Sequence, residues 1–444
     1  MKKFAIVFVL LILFAGIGMP YVNGLMMNKA VTHAMANINQ MNADSGSDIK
    51  LEMIAYNRGF YSSVVEWKID FGSLSNVYGV DDLVFVETAI HGYKGVVSQT
   101  SLEKNQWFSN LLAQSLGGEN PLHIQTVYPL KGDIVSTLVM DAVSFEKEGV
   151  RIELKPARFS LSMDRELTGF RSDLNWKGCE VPGKLKLDQI VVTSEMKKIS
   201  TYIWDGQALF NVGDFWLQDG QNQMKAKHIK VRNFQDYHED TNRLSMGIEL
   251  GVDLFSENGT DELKDGFVRI RINQMDAHGY EQIAKLYTAL VHDMIKTMGE
   301  RGFDPDNMEA LFERKMAGSG LQVLAEAEKL LKKDFEIQIS DLKARLPLGK
   351  IEGSLSVSLK KDMTMTGFLP VMMQHSMVLD IFSLQSKLIL PATMVGENSS
   401  LLNPIYPGMQ TGLFVKQGDM MTHEAQTRDG KLFINTKQVA LQLR

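Results

Sequence analysis

Cysteine is almost absent. The 444 residues contain one, Cys179, so no disulfide can close within the chain and the fold must be held by burial and hydrogen bonding. Histidine is also scarce: nine residues, with no H-x-x-x-H pair. Without a cysteine cluster beside them, there is no ligand set for a structural or catalytic zinc. Blocks of basic charge are missing as well. The 47 Lys and Arg are interspersed among 53 Asp and Glu, for a net charge of −6, which argues against nucleic acid as a partner. There is no phosphate loop and no nucleophile elbow, since Gly318-Ser319-Gly320 lacks the flanks either would need. Asp236-Tyr237-His238-Glu239-Asp240 reads as a polar turn and Asp304-x-Asp306 as a helix cap. No Ser/His/Asp set suggests itself, so the expectation is a protein that is not an enzyme, with no catalytic residue, no cofactor and no metal.

What is abundant lies first at the N-terminus. After Met1-Lys2-Lys3 comes FAIVFVLLILFAGIGMPY, Phe4 to Tyr21, without a charge. As a helix this run rises about 27 Å, close to the ~30 Å of a bilayer's hydrocarbon. Lys2 and Lys3 hold the short end in the cytoplasm by the positive-inside bias. The expectation is a single-pass inner-membrane anchor through residues 4–21 with its C-terminal ectodomain in the periplasm. The competing reading is a cleaved signal peptide. The run exceeds the usual core of about 7–15 residues, and Gly16-Ile17-Gly18 is a poor cleavage site.

Beyond the anchor, periodicity changes from helical to alternating. Leu25, Met26, Val31, Met35 and Ile38 predict an amphipathic helix over 24–41 that docks on the domain, and residues 42–48 predict a linker. From Lys50 the period is two, as in Val65, Trp67, Ile69 and Phe71. A slip in this alternation at Pro156-Ala157 predicts a bulge or kinked edge. Turn pairs recur, among them Asp219-Gly220, Asn258-Gly259 and Asp429-Gly430. Residues 280–298 return to helical spacing, helices are expected over 304–316 and 321–333, and another over 370–386. The fold class expected is α+β: an N-terminal transmembrane helix, then a large, mainly antiparallel β-sheet ectodomain with a helical block in the middle. The segments are 1–23 (anchor), 24–48 (membrane-proximal helix and linker), 49–277 (β-rich), 278–333 (helical block) and 334–444 (C-terminal β-rich α/β region).

The clearest strand carries Leu244, Met246, Ile248, Leu250, Val252 and Leu254 on one side, with Ser245, Gly247, Glu249, Gly251 and Asp253 on the other. Such a sheet must cover its apolar face with a second sheet, with helices or with a ligand. Methionine is plentiful at 26 residues, and its unbranched thioether suits either a large core or an adaptable apolar surface. Two functional readings follow. One is an apolar sheet face beside a bilayer that takes lipid or a hydrophobic partner. The other is a structural or assembly protein that self-associates as a homo-oligomer through its edges.

The stretch Tyr56-Asn57-Arg58-Gly59-Phe60-Tyr61-Ser62-Ser63, placed shortly after an anchor, resembles the opening strand of the YdgA/YihF-type family of bacterial envelope proteins. Gly412-Leu413-Phe414-Val415 and Asp429-Gly430-Lys431-Leu432-Phe433-Ile434-Asn435 are similar to that family's closing hairpin, although Thr436 stands where the family usually has Gly. The resemblance implies an inner-membrane-anchored, periplasm-facing protein without assigned biochemistry. It carries over no catalytic residue. Of the motif, Tyr56, Arg58, Gly59, Phe60, Ser62 and Ser63 are expected to act structurally, with Gly59 supplying backbone freedom at a kink.

Overall fold

The computed structural model describes residues 2–44, 46–75, 79–103, 106–115, 120–147, 149–301, 325–364, 378–395 and 412–439, with residues 2–17 described by backbone alone. One continuous helix, α1 (Lys2–Asp44), runs through both the apolar segment and the amphipathic one, with Pro20 inside it. The boundary expected at residue 23 is therefore no break in the chain, and the helix consumes the first part of the expected linker. Among the described residues, no helix is long and apolar enough to cross a membrane. Most of the Phe4–Tyr21 run falls on residues whose side chains lie outside that description.

The strands group into two compact units. The first comprises residues 1–181, 192–201 and 285–318; the second comprises 182–191, 202–284 and 319–444. In the first, β1 (Lys50–Arg58), β2 (Ser62–Asp70), β3 (Asp82–Gly92), β4 (Gly95–Leu102), β5 (Leu122–Pro129) and β6 (Ile134–Met140) form an antiparallel meander, each paired with the next. β7 (Val143–Lys147) and β8 (Val150–Leu154) make a hairpin, and β8 continues to β11 (Cys179–Val181). β9 (Ala157–Met163) pairs instead with β6 and with β10 (Gly169–Trp176). The slip at Pro156-Ala157 is thus no bulge. It is a junction where the chain changes partners, placed at a residue with no N–H to donate.

α1 lies on this meander. Met27, Val31 and Met35, spaced by four, pack with Val65, Ala89 and Val96 from β2, β3 and β4, and with Met53, Tyr56, Trp67 and Tyr128 around them. The docking stripe differs from the expected one: Met27 is fully buried, whereas Leu25 and Ile38 face solvent. At the far end Asn39 acts as a surrogate strand residue. Its side chain donates to the Leu51 carbonyl and accepts from the Leu51 N–H, both at 2.8 Å, closing the outer edge of β1.

The second unit carries one long antiparallel succession. β12 (Leu185–Leu187) pairs with β15 (Phe215–Asp219) and β15 with β16 (Asn222–Lys227), and β13 (Ile190–Lys198) lies between β12 and β14 in the chain. β14 (Trp204–Val212) pairs with β17 (Ile229–His238), then follow β18 (Arg243–Glu257), β19 (Thr260–Asp276), β20 (Glu336–Leu346), β21 (Gly349–Leu359), β22 (Phe382–Pro391) and β24 (Met420–Arg428), on which β23 (Val415–Gln417) also pairs. β25 (Lys431–Ile434) and β26 (Lys437–Val439) extend it. Asn258-Gly259 and Asp429-Gly430 both have positive φ at each residue, the mirror-image turns that match strand twist. The helix expected over 370–386 is corrected at its C-terminal end. Only Val378–Ile381 is helical, Phe382 onward is strand, and 370–377 lies outside the described residues. A helix spans Ala277–Arg301 and a helical stretch covers 325–330, while the expected capping sequence at Asp304-Pro305 and the helix over 304–316 lie outside the described residues.

Met27→Ala should cost the first unit about 2–5 kcal/mol, because a fully buried side chain at the helix–sheet contact leaves a cavity. Chemical denaturation of the full chain, followed by Trp67 fluorescence in a background with the other four tryptophans replaced by Phe, checks this; an unchanged midpoint would show that α1 is not packed there.

Candidate functional site

Among the described residues, two places bear on function. The first is the junction of α1 with the Tyr56–Ser63 motif. The Tyr56 hydroxyl donates to the Gly24 carbonyl at 2.9 Å. The Arg58 guanidinium lies 4.4 Å from the centre of the Tyr21 ring and donates to its hydroxyl at 3.0 Å. The Gly59 N–H donates to the Ser62 carbonyl at 2.7 Å, closing the β1–β2 turn. Phe60 packs its ring 5.7 Å from that of Tyr21. Ser63, fully buried, places its Oγ 2.8 Å from His91 Nε2, and His91 Nδ1 is 3.2 Å from the Phe60 carbonyl. A carbonyl only accepts, so Nδ1 carries a hydrogen and donates to Phe60, and in that tautomer Nε2 accepts the hydrogen bond from the Ser63 hydroxyl. A Cβ on Gly24 would stand 2.4 Å from the His91 ring, so glycine is the residue that lets helix and imidazole meet. The neighbouring Asn23 is also buried and donates to the Gly92 carbonyl at 2.6 Å.

Beneath the helix lies a buried acid. Glu87 accepts from Ser98 Oγ at 2.5 Å and from the Tyr128 hydroxyl at 3.0 Å. Burial pushes its carboxyl above the usual range, the two hydroxyls only partly opposing the shift. Burial, followed by the charge of Glu87, pushes Tyr128 well above the usual phenol range. His91, Asn23, Glu87, Ser98 and Tyr128 were not singled out by the sequence. Ser63 and His91 are a hydroxyl–imidazole pair, but both are buried against α1 and the orienting group is a carbonyl, so the arrangement positions the helix. A second pair, Ser386 Oγ and His423 Nε2 at 2.9 Å, is likewise oriented by a carbonyl, that of Leu413.

The second place is the apolar face of the second unit. Directly paired residues share a face, so Leu250 aligns with Val231 and Val268, and through them with Phe210 and Leu342. Ile248 aligns with Ile270, Ile339 and Leu355; Met246 with Ile272, Ile337, Val357 and Leu384. Val252 and Leu254 continue the β18 row toward Gly266 and Lys264. Of the six residues expected on this face, only Leu244 is buried, against Met275; Leu250 is exposed and the other four are half-buried. Cover appears at the β22–β24 margin, where Leu390, Met394 and Met421 form one buried cluster and Leu379, Ala425, Leu432 and Ile434 another.

The reverse face is charged. Glu249 pairs with Arg269 at 2.8 Å and Arg232 at 3.5 Å, and Arg269 reaches Asp341 at 2.9 Å. Phe234 fills the gap over Gly247, flanked by the Arg232 and Arg271 guanidiniums. Among the described residues no group of three or more His, Cys, Asp or Glu is placed to hold a metal ion.

With this architecture in view, the chain matches over residues 1–442 the family described as bacterial protein of unknown function (DUF945). The chain belongs to this family. No curated protein matches it, nor does any solved structure. The family description assigns no chemistry, so the functional argument rests on the two places just described.

Glu87→Gln keeps an acceptor for Ser98 and Tyr128 while removing the ionisable group. With the folded carboxyl raised, the wild type is penalised as pH climbs from the ordinary carboxylate value through the folded one, and not below it. The variant should therefore be more stable than wild type near pH 7.5, with the advantage vanishing below about pH 4. Urea midpoints at the two pH values decide this; a variant weaker at both would mean that Glu87 is ionised and held by its partners.

Proposed function

We propose that this protein is a membrane-tethered component of the bacterial envelope, facing the periplasm, whose apolar sheet face in the second unit binds lipid acyl chains. One observation carries the reading. Across β14, β17, β18, β19, β20, β21 and β22, the rows through Met246, Ile248 and Leu250 contain no residue that is buried among the described ones. Monomeric soluble proteins rarely leave contiguous apolar areas of more than a few hundred Å² uncovered. The rows are apolar from β18 to β20, interrupted by Asn233 and Gln235 on β17, Gly353 on β21 and Ser386 on β22, and the pleat spaces them as parallel ridges along which an extended chain lies without needing hydrogen bonds. Across these three rows the charged residues Arg232, Glu249, Arg269 and Asp341 lie on the other side, and charge reaches the apolar side only at the Leu254 row, through Lys227 and Lys264.

The tether half of the reading is supported by the uncharged run Phe4–Tyr21 in the first half of α1 and by the likeness of Tyr56–Ser63 to the YdgA/YihF-type envelope proteins. Edge-to-edge self-association is the second reading. It gains less support, because the outer edge of β1 is occupied by Asn39.

Phospholipid carrying a photoreactive acyl chain, incorporated into membranes holding the full chain, tests the proposal. Crosslinked peptides should map to β18, β19 and β20, and Leu250→Asp with Ile337→Asp should lower the yield at least tenfold. Labelling confined to residues 4–21, unaffected by the double substitution, would remove the acyl-binding role.

A further inference from the structure

The end of the first unit where α1 leaves the apolar run presents a cluster of large side chains to solvent that packing does not explain. Ile90, Tyr93 and Tyr61 are 67%, 64% and 56% exposed, and Phe60, Tyr21 and Val22 are each 40% or more. They come from three separate stretches gathered at one tip. Asn23 binds the Gly92 carbonyl, Arg58 and Phe60 hold the Tyr21 ring, Phe60 packs 5.0 Å from Tyr61, and the His91 N–H donates to the Tyr61 carbonyl. The β1–β2 turn, the β3–β4 turn and residues 21–23 of the helix are therefore one surface. Lys94 stands exposed beside Tyr93.

We infer that this tip is a seat on the bilayer surface, in which Tyr21, Phe60, Tyr61, Ile90 and Tyr93 enter the headgroup region of an anionic phospholipid membrane while Lys94 meets phosphate. The inference rests on the tethered reading above and adds a second membrane contact to it, made by the folded unit. Two observations select lipid as the occupant. The patch begins at Tyr21 and Val22, where the apolar run that starts at Phe4 meets the polar Asn23, so whatever phase takes that run lies against the patch. Its composition is aromatic with polar tips, rimmed by a cation, the pattern that suits the membrane–water interface. The clasp at Asn23, Gly24, Tyr56 and Arg58 then has a purpose that packing alone would not require. It fixes the unit rigidly to the helix, so that the same tip meets the bilayer continuously.

The test uses the full chain, with Cys179→Ser, reconstituted in phosphatidylethanolamine/phosphatidylglycerol vesicles. A nitroxide is placed at residue 90 or 93 and, as a control, at residue 82 at the other end of β3, about 26 Å from residue 90. Labels at 90 and 93 should be shielded from an aqueous nickel chelate and accessible to oxygen, with residue 82 the reverse. In a Tyr61→Ser, Ile90→Ser, Tyr93→Ser variant, still retained through the anchor, a label at residue 94 should become as nickel-accessible as that at 82. Equal nickel access at 82 and 93 in vesicle-retained protein would overturn the seat while leaving the tether standing. Spin–spin broadening between labels at 93 would overturn it in favour of a second copy of the chain. Release of the whole chain by carbonate washing would overturn the tether, and the seat with it.

Discussion

Everything in the first unit depends on how α1 is held at Asn23 and Gly24. A helix that leaves an apolar segment and enters water can dock in many rotations, because Met, Val and Ala packing is nearly indifferent to small slides. Hydrogen bonds are not indifferent. Asn23 to Gly92, Tyr56 to Gly24 and Arg58 to Tyr21 fix both azimuth and height, and the absent Cβ of Gly24 lets the His91 ring close against the helix backbone. Asn23 is out of water, where an unmade hydrogen bond costs about 1–3 kcal/mol, and the Tyr56 contact is half-buried, so a slipped helix would forfeit both at once. The motif Tyr56–Ser63 is thus a fastening whose counterpart lies some thirty residues earlier in the chain.

That fastening explains which features the one-dimensional pattern disclosed. Alternation in β2 and β18 was plain because apolar and polar residues separate cleanly between faces, as did the turns at Asn258 and Asp429, where two consecutive residues tolerate positive φ. In β3 the rule inverts. Glu87 and His91 point inward with Phe85 and Ala89, while Val86 and Ile90 point out, so hydrophobicity names the wrong face at the positions that matter. Ser98 does the same in β4. A buried acid facing two hydroxyls is a tertiary fact, since Ser98 and Tyr128 come from different strands and neither is unusual locally. The helical stripe was misread for a related reason: Leu25 and Ile38 have the spacing but are exposed, and Met27 adjoins the clasped Gly24.

The second unit shows a different economy. Its ion pairs along Arg232, Glu249, Arg269 and Asp341 are partly exposed and so contribute little to stability individually. Their effect is to declare a wet face. Once that face is fixed, a register slip by one residue would turn Glu249 and Arg269 onto the aliphatic side, so the ladder specifies pairing more than it stabilises it.

The irregularities of this sheet point the same way. At Ser340–Asp341 the pairing of β20 shifts, so that Ile339 and Leu342, three residues apart, both align with the aliphatic rows while Asp341 still reaches Arg269. Near Gln274, whose φ is +60°, a second shift keeps both Ile272 and Met275 on the side of Met246 and Leu244. A bulge sacrifices ladder hydrogen bonds and so is kept where side-chain direction has value. Both bulges preserve the aliphatic character of a face whose central rows are not buried among the described residues. Met275 keeps its burial against Leu244 by the second shift, whereas a surface meant only for water would lose nothing by letting the half-buried Leu342 turn over. Continuity of the apolar ridges is therefore the property being maintained, and it is the property on which the proposed acyl-chain contact, which spans several strands and requires no polar registration, depends.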